Sequence, residues 1–196
     1  MGAVRALVLA CALLVGAVRD AVGQEALVPF DRQVVLMNKI VQFDRAYVEM
    51  QGEDVVFAIV YQRGYRASLT TQEALVEVLT SQSTFGRKRV HVVSIELDEN
   101  GSLDDALLAA AARIVYVAPL RAVDIDDVVR ATRGLGILSF TGVPAYVSDG
   151  VSIGITMRGD HAEILINLPA SRLEGARLSS ELLKLSHVIG GDHDGV

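Results

Sequence analysis

Residues Val55 to Tyr61 read "VVFAIVY", an unbroken apolar run. It is of strand length, far too short to span a bilayer, and shows no polar alternation. Such a run predicts a strand buried on both faces, which in turn requires helices above and below a mainly parallel sheet. The chain on either side of it supplies those helices. Upstream, Pro29 suits a first helical turn, and Phe30, Val34, Met37, Val41 and Val48 recur at helical spacing. One amphipathic helix over about residues 29–50 is therefore expected, ended by "GED".

Downstream the alternation continues. "SLTTQEALVEVL" reads as a helix with Thr70 and Glu73 as its capping box. "RVHVVSIEL" (Arg89 to Leu97) is a β-branched strand, and "DENGS" is a turn. Ser102 and Asp105 can cap the helix "LDDALLAAAA". "RIVYVAP" is the next buried strand. "DIDDVVRATRG" is a helix with Asp124 at its start and Gly134 at its end, and "ILSFTG" is another strand. After Pro144 two strands, "VSIGITM" and "AEILINL", are joined by "RGDH" as a hairpin. A short helical turn follows (Ala170 to Gly175), then a last helix in "SSELLKLSHVI" with Leu178, Leu182, Leu185 and Ile189 on one face. The expected fold is a three-layer α/β domain that ends in an antiparallel hairpin and a C-terminal helix.

The first residues, "MGAVRALVLACALLVGAVRDAVGQEA", read as a secretory signal. Arg5 forms the positive end, Ala6 to Val18 the apolar stretch, and Ala21-Val22-Gly23 the cleavage site. Residues 1–23 would then be removed, leaving 24–196 as one domain in the periplasm. Cys11 offers an alternative, lipidation, but it lies within the apolar stretch. Cleavage leaves 16 of 18 basic and 23 of 24 acidic side chains, a net charge of −7, and removes the only cysteine. The mixed, acidic balance argues against nucleic-acid binding, which needs a basic stripe. Without cysteine the mature domain rests on packing alone.

Several short motifs suggest chemistry and lose it in context. "GVSIG" (Gly150 to Gly154) matches a hydrolase serine turn, yet Ser152 begins a strand and no helix follows it. Arg158-Gly159-Asp160 is turn chemistry between two strands, not an adhesion site. His91, His161, His187 and His193 lack metal-ligand spacing, with His187 placed on the last helix, and "DHD" (Asp192 to Asp194) lies in a polar tail. Gly134 and Gly136 lack the third glycine of a dinucleotide site. No catalytic, cofactor or metal residue is assigned.

The segment "GVSIGITMRGDHAEILINLPASRLEGARLSSELLKLSHVI" resembles the C-terminal signature of the YfiR-like family of periplasmic proteins. Gly150, Ile166, Asn167, Leu168, Arg172, Gly175, Ser179, Ser180, Leu182, Leu183 and Leu185 carry the likeness. Their physical roles look structural: Asn167 can bond the following turn, Ser179 or Ser180 can cap the final helix, and the leucines can cover the sheet. The resemblance implies a regulator without enzymatic activity. Such proteins bind a membrane-anchored signalling partner, a diguanylate cyclase above all, and restrain cyclic-di-GMP and biofilm output. It also implies dimers. Many members carry periplasmic cysteines; this mature chain has none, so redox sensing does not carry over.

Two candidate surfaces follow. Ile40, Phe43 and Tyr47 extend the apolar face of the first helix and are the expected interface, either with a partner or in a homodimer. Alternatively the domain binds a small molecule beyond the carboxyl ends of its strands. Gly64, Tyr65 and Arg66, with loops at Asp98 to Gly101 and Leu120 to Val123, would form that site.

Overall fold

The "VVFAIVY" run lies in β1 (Asp54–Tyr61), an interior strand of an eight-stranded sheet. The computed structural model describes residues 28–97, 101–121 and 125–190. Along the chain, α1 (Phe30–Gln42) and α2 (Arg45–Glu49) precede β1. They are followed by α3 (Arg66–Thr80), β2 (Thr84–Phe85), β3 (Lys88–Glu96), α4 (Leu103–Ala109) and β4 (Ile114–Val117). Next come α5 (Ile125–Leu135), β5 (Leu138–Thr141), α6 (Pro144–Ser148), β6 (Ile153–Arg158) and β7 (His161–Asn167). The chain closes with α7 (Leu168–Leu173), α8 (Ser180–Lys184) and β8 (His187–Ile189).

The strand order is β2-β3-β1-β4-β5-β6-β7-β8. From β3 to β6 all neighbours are parallel, and β2 and β7 are antiparallel additions. The chain moves from β1 out to β3, then returns past β1 to β4, so its winding reverses between β1 and β4. Alternating side chains along each strand feed two cores. Val55, Phe57 and Ile59 of β1, with Ile114 and Tyr116 of β4, face α1 and α3 through Val34, Met37, Val41, Leu75 and Leu79. Ala58, Val60 and Val115 face the other way, toward Leu107 of α4 and Ala131 of α5. This is the three-layer arrangement that the apolar run demanded.

Local chemistry explains most element ends. Ser102 caps α4 by accepting the Asp105 amide at 3.2 Å. Gly159, with φ 63°, turns β6 into β7. Other boundaries differ from expectation. The opening helix is broken at Phe43–Asp44, where Asp44 bridges to Leu178 and restarts the chain as α2; Val48 is exposed as a result. Helix α3 begins at Arg66, ahead of Thr70, because buried Ser68 accepts the Gln62 amide at 2.9 Å and holds the preceding turn. Gly134 lies inside α5, and the residue with positive φ that ends the helix is Gly136, at 64°.

The C-terminal helix stops at Lys184. The Ser186 hydroxyl donates back to the Leu182 and Leu183 carbonyls at 3.0 and 3.2 Å, and His187 to Ile189 then pair in parallel with β7. His187 is therefore a strand residue. The expected signal segment 1–23, Asp124 and the "DHD" tail lie outside the described residues, as do parts of the loops at 98–101 and 120–123. No helix among the described residues is long and apolar enough to cross a membrane.

Candidate functional site

The carboxyl ends of β1 and β4 lie at the point where the winding reverses, the place where such sheets usually bind ligands. Gln62 organises it. Its amide is held by Ser68, and its side-chain Oε1 accepts the Arg121 amide at 2.7 Å, which ties the loop after β1 to the loop after β4. Tyr146 on α6 adds a second tie, its hydroxyl accepting the Leu120 amide at 2.8 Å and donating to the Leu120 carbonyl at 3.2 Å. Of the three loop residues singled out, Gly64 and Arg66 are exposed and Tyr65 is half-buried at the start of α3. Arg63 beside them pairs with Glu96 at 2.9 Å.

The proposed interface residues part company. Ile40 and Tyr47 are 1% and 5% exposed, both within the main core, and the Tyr47 hydroxyl donates to the Phe85 carbonyl at 2.5 Å. They are used up inside the domain, because the break after α1 turns α2 so that Tyr47 points at the β2–β3 turn. Phe43 alone stays at the surface, 36% exposed.

Ser152 is fully buried. Its hydroxyl donates to Glu174 Oε2. Glu174, at the end of α7, is 2% exposed and collects three further bonds. Thr132 and Ser139 donate their hydroxyls to Oε1 at 2.7 and 2.6 Å, and the Ser139 amide donates to Oε2 at 2.9 Å. Burial pushes the Glu174 carboxyl up, against the pull of these hydrogen bonds. No nucleophilic arrangement results. Asp160 and His161 pair with each other at the exposed hairpin tip, the length of β6 away, roughly 20 Å. Sequence reasoning missed Glu174, since in "RLEGAR" it reads as a surface residue. The only local hint is Gly175 after it, with φ 83°.

The remaining motif positions are structural supports. Gly150 adopts φ 120°, where a Cβ would press on Val129 at 3.0 Å and Arg133 at 2.7 Å. Asn167 caps α7 by accepting the Ala170 amide at 3.0 Å, and its Nδ2 donates to the Val147 carbonyl at 2.8 Å. Leu168 opens α7 and Arg172 is exposed on it. Ser179 caps α8 through the Leu182 amide at 3.3 Å, with Ser180 as its first residue. Leu182 is buried, whereas Leu185 is 75% exposed and covers nothing. Among the described residues, no three His, Cys, Asp or Glu side chains gather as metal ligands.

Fold and site together define a three-layer α/β domain whose sequence signature sets turns, caps and a buried carboxyl network. The chain belongs to the YfiR/HmsC-like family, whose pattern matches residues 36–187. No curated protein matches the sequence. Among solved structures, the fold resembles a conserved domain protein from Vibrio cholerae, at 15% identity and a TM-score of 0.58, covering 82% of this chain and 60% of that one. It also resembles an ABC domain in complex with L-Trp from Streptococcus pneumonia, at 11% identity and a TM-score of 0.60, covering 82% and 62%. The chain thus spans about three fifths of the length of these structures, and the likeness is one of fold.

Proposed function

We propose that this protein is a periplasmic, non-enzymatic regulator that acts by contact on a membrane-anchored signalling protein. A diguanylate cyclase of the cyclic-di-GMP pathway that governs biofilm is the first candidate partner, and a sensor kinase the second. The family match over residues 36–187 carries this reading. The signal-like N-terminus supports the location. The sequestered Ser152 hydroxyl, spent on Glu174, removes the one motif that suggested hydrolysis. Phe43 is the residue of the expected interface still open to a partner or to a second copy of the chain. Affinity purification of the mature protein from detergent-solubilised membranes tests the proposal. Enrichment of an inner-membrane cyclase or kinase supports it, and recovery of no such protein overturns it.

A second reading, a small-molecule-binding module, has one observation in its favour. The loops at the winding reversal, where sheets of this kind usually bind ligands, are laced together by Gln62 and Tyr146 rather than left loose. A structural neighbour holds L-Trp, so aromatic amino acids belong in the first thermal-shift screen. A melting point unmoved by every compound tested would dismiss this reading. A ligand there could also tune partner binding, so the two readings are compatible.

A further inference from the structure

We propose that Glu174 is a proton-operated latch: while its carboxyl holds a proton, the strap of residues 174–179 stays fastened, and loss of that proton loosens it. The hydrogen bonds around Glu174 accommodate both states. Ser139 Oγ already accepts the Ser152 amide at 2.9 Å, so its single hydrogen is directed at Glu174. Thr132 has a choice. Its hydroxyl lies 2.7 Å from Glu174 Oε1 and 3.1 Å from the Val129 carbonyl. When the carboxyl is ionised, Thr132 donates to it. When Oε1 carries a proton, Glu174 donates to Thr132 and the threonine hydrogen swings to Val129. Every group is satisfied either way, so the states differ mainly in the charge they bury.

Among the described residues, no cation is bonded to that carboxyl. On α5, Arg130 pairs with Asp127 at 2.6 Å and Arg133 reaches toward the Gly150 carbonyl at 3.4 Å. Strand β5 has no charged residue, while Asp149 before β6 and Arg172 on α7 are both exposed. Burial accordingly raises the carboxyl above its ordinary range. A raised acid stabilises the fold fully below its unfolded value, about 4.3, and that stability is lost as pH climbs through the folded value. The latch is tight in acid and slack toward alkaline pH.

The strap carries the effect elsewhere. Beyond Gly175, the Arg177 amide donates to Asp44 at 2.7 Å, the Arg45 amide donates to the Arg177 carbonyl at 3.1 Å, and the Ser179 amide donates to the Phe43 carbonyl at 2.9 Å. Loosening at Glu174 is therefore delivered to the corner that bears Phe43. The latch stands whether or not Phe43 contacts a partner.

Amide hydrogen exchange at Arg177 and Ser179 in the mature chain, corrected for intrinsic rate, reads it as pH is raised from the ordinary glutamate range upward. Protection in the wild type should fall at least tenfold as the Glu174 carboxyl loses its proton. Glu174→Gln, which carries no charge at any pH, should make protection independent of pH, at a lower level because its Nε2 cannot accept the Ser139 hydroxyl. The same pH dependence in both proteins overturns the latch. Should the variant fail to fold, carbon-13 NMR of the Glu174 carboxyl in the wild type decides. A titration midpoint above the ordinary glutamate value supports the proposal, and one at or below it overturns the proposal.

Discussion

The backbone amide of Arg177 donates to Asp44 Oδ1 at 2.7 Å, across a sequence separation of 133 residues. The same oxygen accepts the Ala46 amide at 3.0 Å, so one carboxylate starts α2 and anchors the strap after α7. Asp44 is only 3% exposed, which leaves water little access to replace either bond. Asp44→Ala should lower stability by about 2–4 kcal/mol, a lost helix cap plus an orphaned amide. Asp44→Asn, which keeps the accepting oxygen, should recover most of the loss. Urea unfolding of the two variants checks this.

Gly86 turns β2 into β3 with φ 54°, packed against Tyr47 and within reach of Val41. A Cβ there would stand 2.7 Å from Val41 Cγ2 and closer still to the Tyr47 ring. Because the ring is held by its bond to Phe85, it has no room to retreat. Gly86→Ala should destabilise by about 2–4 kcal/mol, through crowding and left-handed backbone together. The melting temperature reads the change.

Phe43 and Ile40 are three residues apart in sequence and opposite in environment. Phe43→Asp should leave circular dichroism and melting within about 1 kcal/mol of wild type, since the new carboxylate stays in water. Ile40→Asp should unfold the domain, because it buries an unpaired charge worth several kcal/mol. Light scattering on the folded Phe43 variant then shows whether association depends on that ring; unchanged association would remove Phe43 from any interface.

Ser152→Ala should not alter hydrolysis of p-nitrophenyl acetate beyond background. It should instead lower stability by about 1–2 kcal/mol, because Glu174 loses one of its donors. Esterase activity abolished by this substitution would contradict the structural assignment.

Elements driven by nearest-neighbour chemistry were legible in the sequence. The apolar run of β1, the Ser102 cap and the Gly159 hairpin all depend on residues a few positions apart. What could not be read depends on distant partners. The helical spacing from Phe30 to Val48 is genuine, but Asp44 breaks it because Arg177 and Leu178 arrive from the far end of the chain. Likewise "SELLKLSHVI" has a helical apolar pattern, and only the free edge of β7 draws its last residues into a strand. Glu174 shows the limit most clearly, since Thr132, Ser139 and Ser152 come from three separate segments. The interface expectation failed in part for the same reason: Tyr47 finds Phe85, 38 positions away.

The bridge between Asp44 and Leu178 also bears on the order in which the molecule can be completed. During synthesis the amino end emerges first, and the amide that Asp44 needs follows 133 residues later. At ordinary elongation rates of about 5–20 residues per second, that is a delay of roughly 7–27 s. Through that interval the break after α1 has no strap across it, and Phe43 has no Ser179 amide on its carbonyl. The corner at Asp44 therefore closes late in synthesis, only after Arg177 and Ser179 have been made.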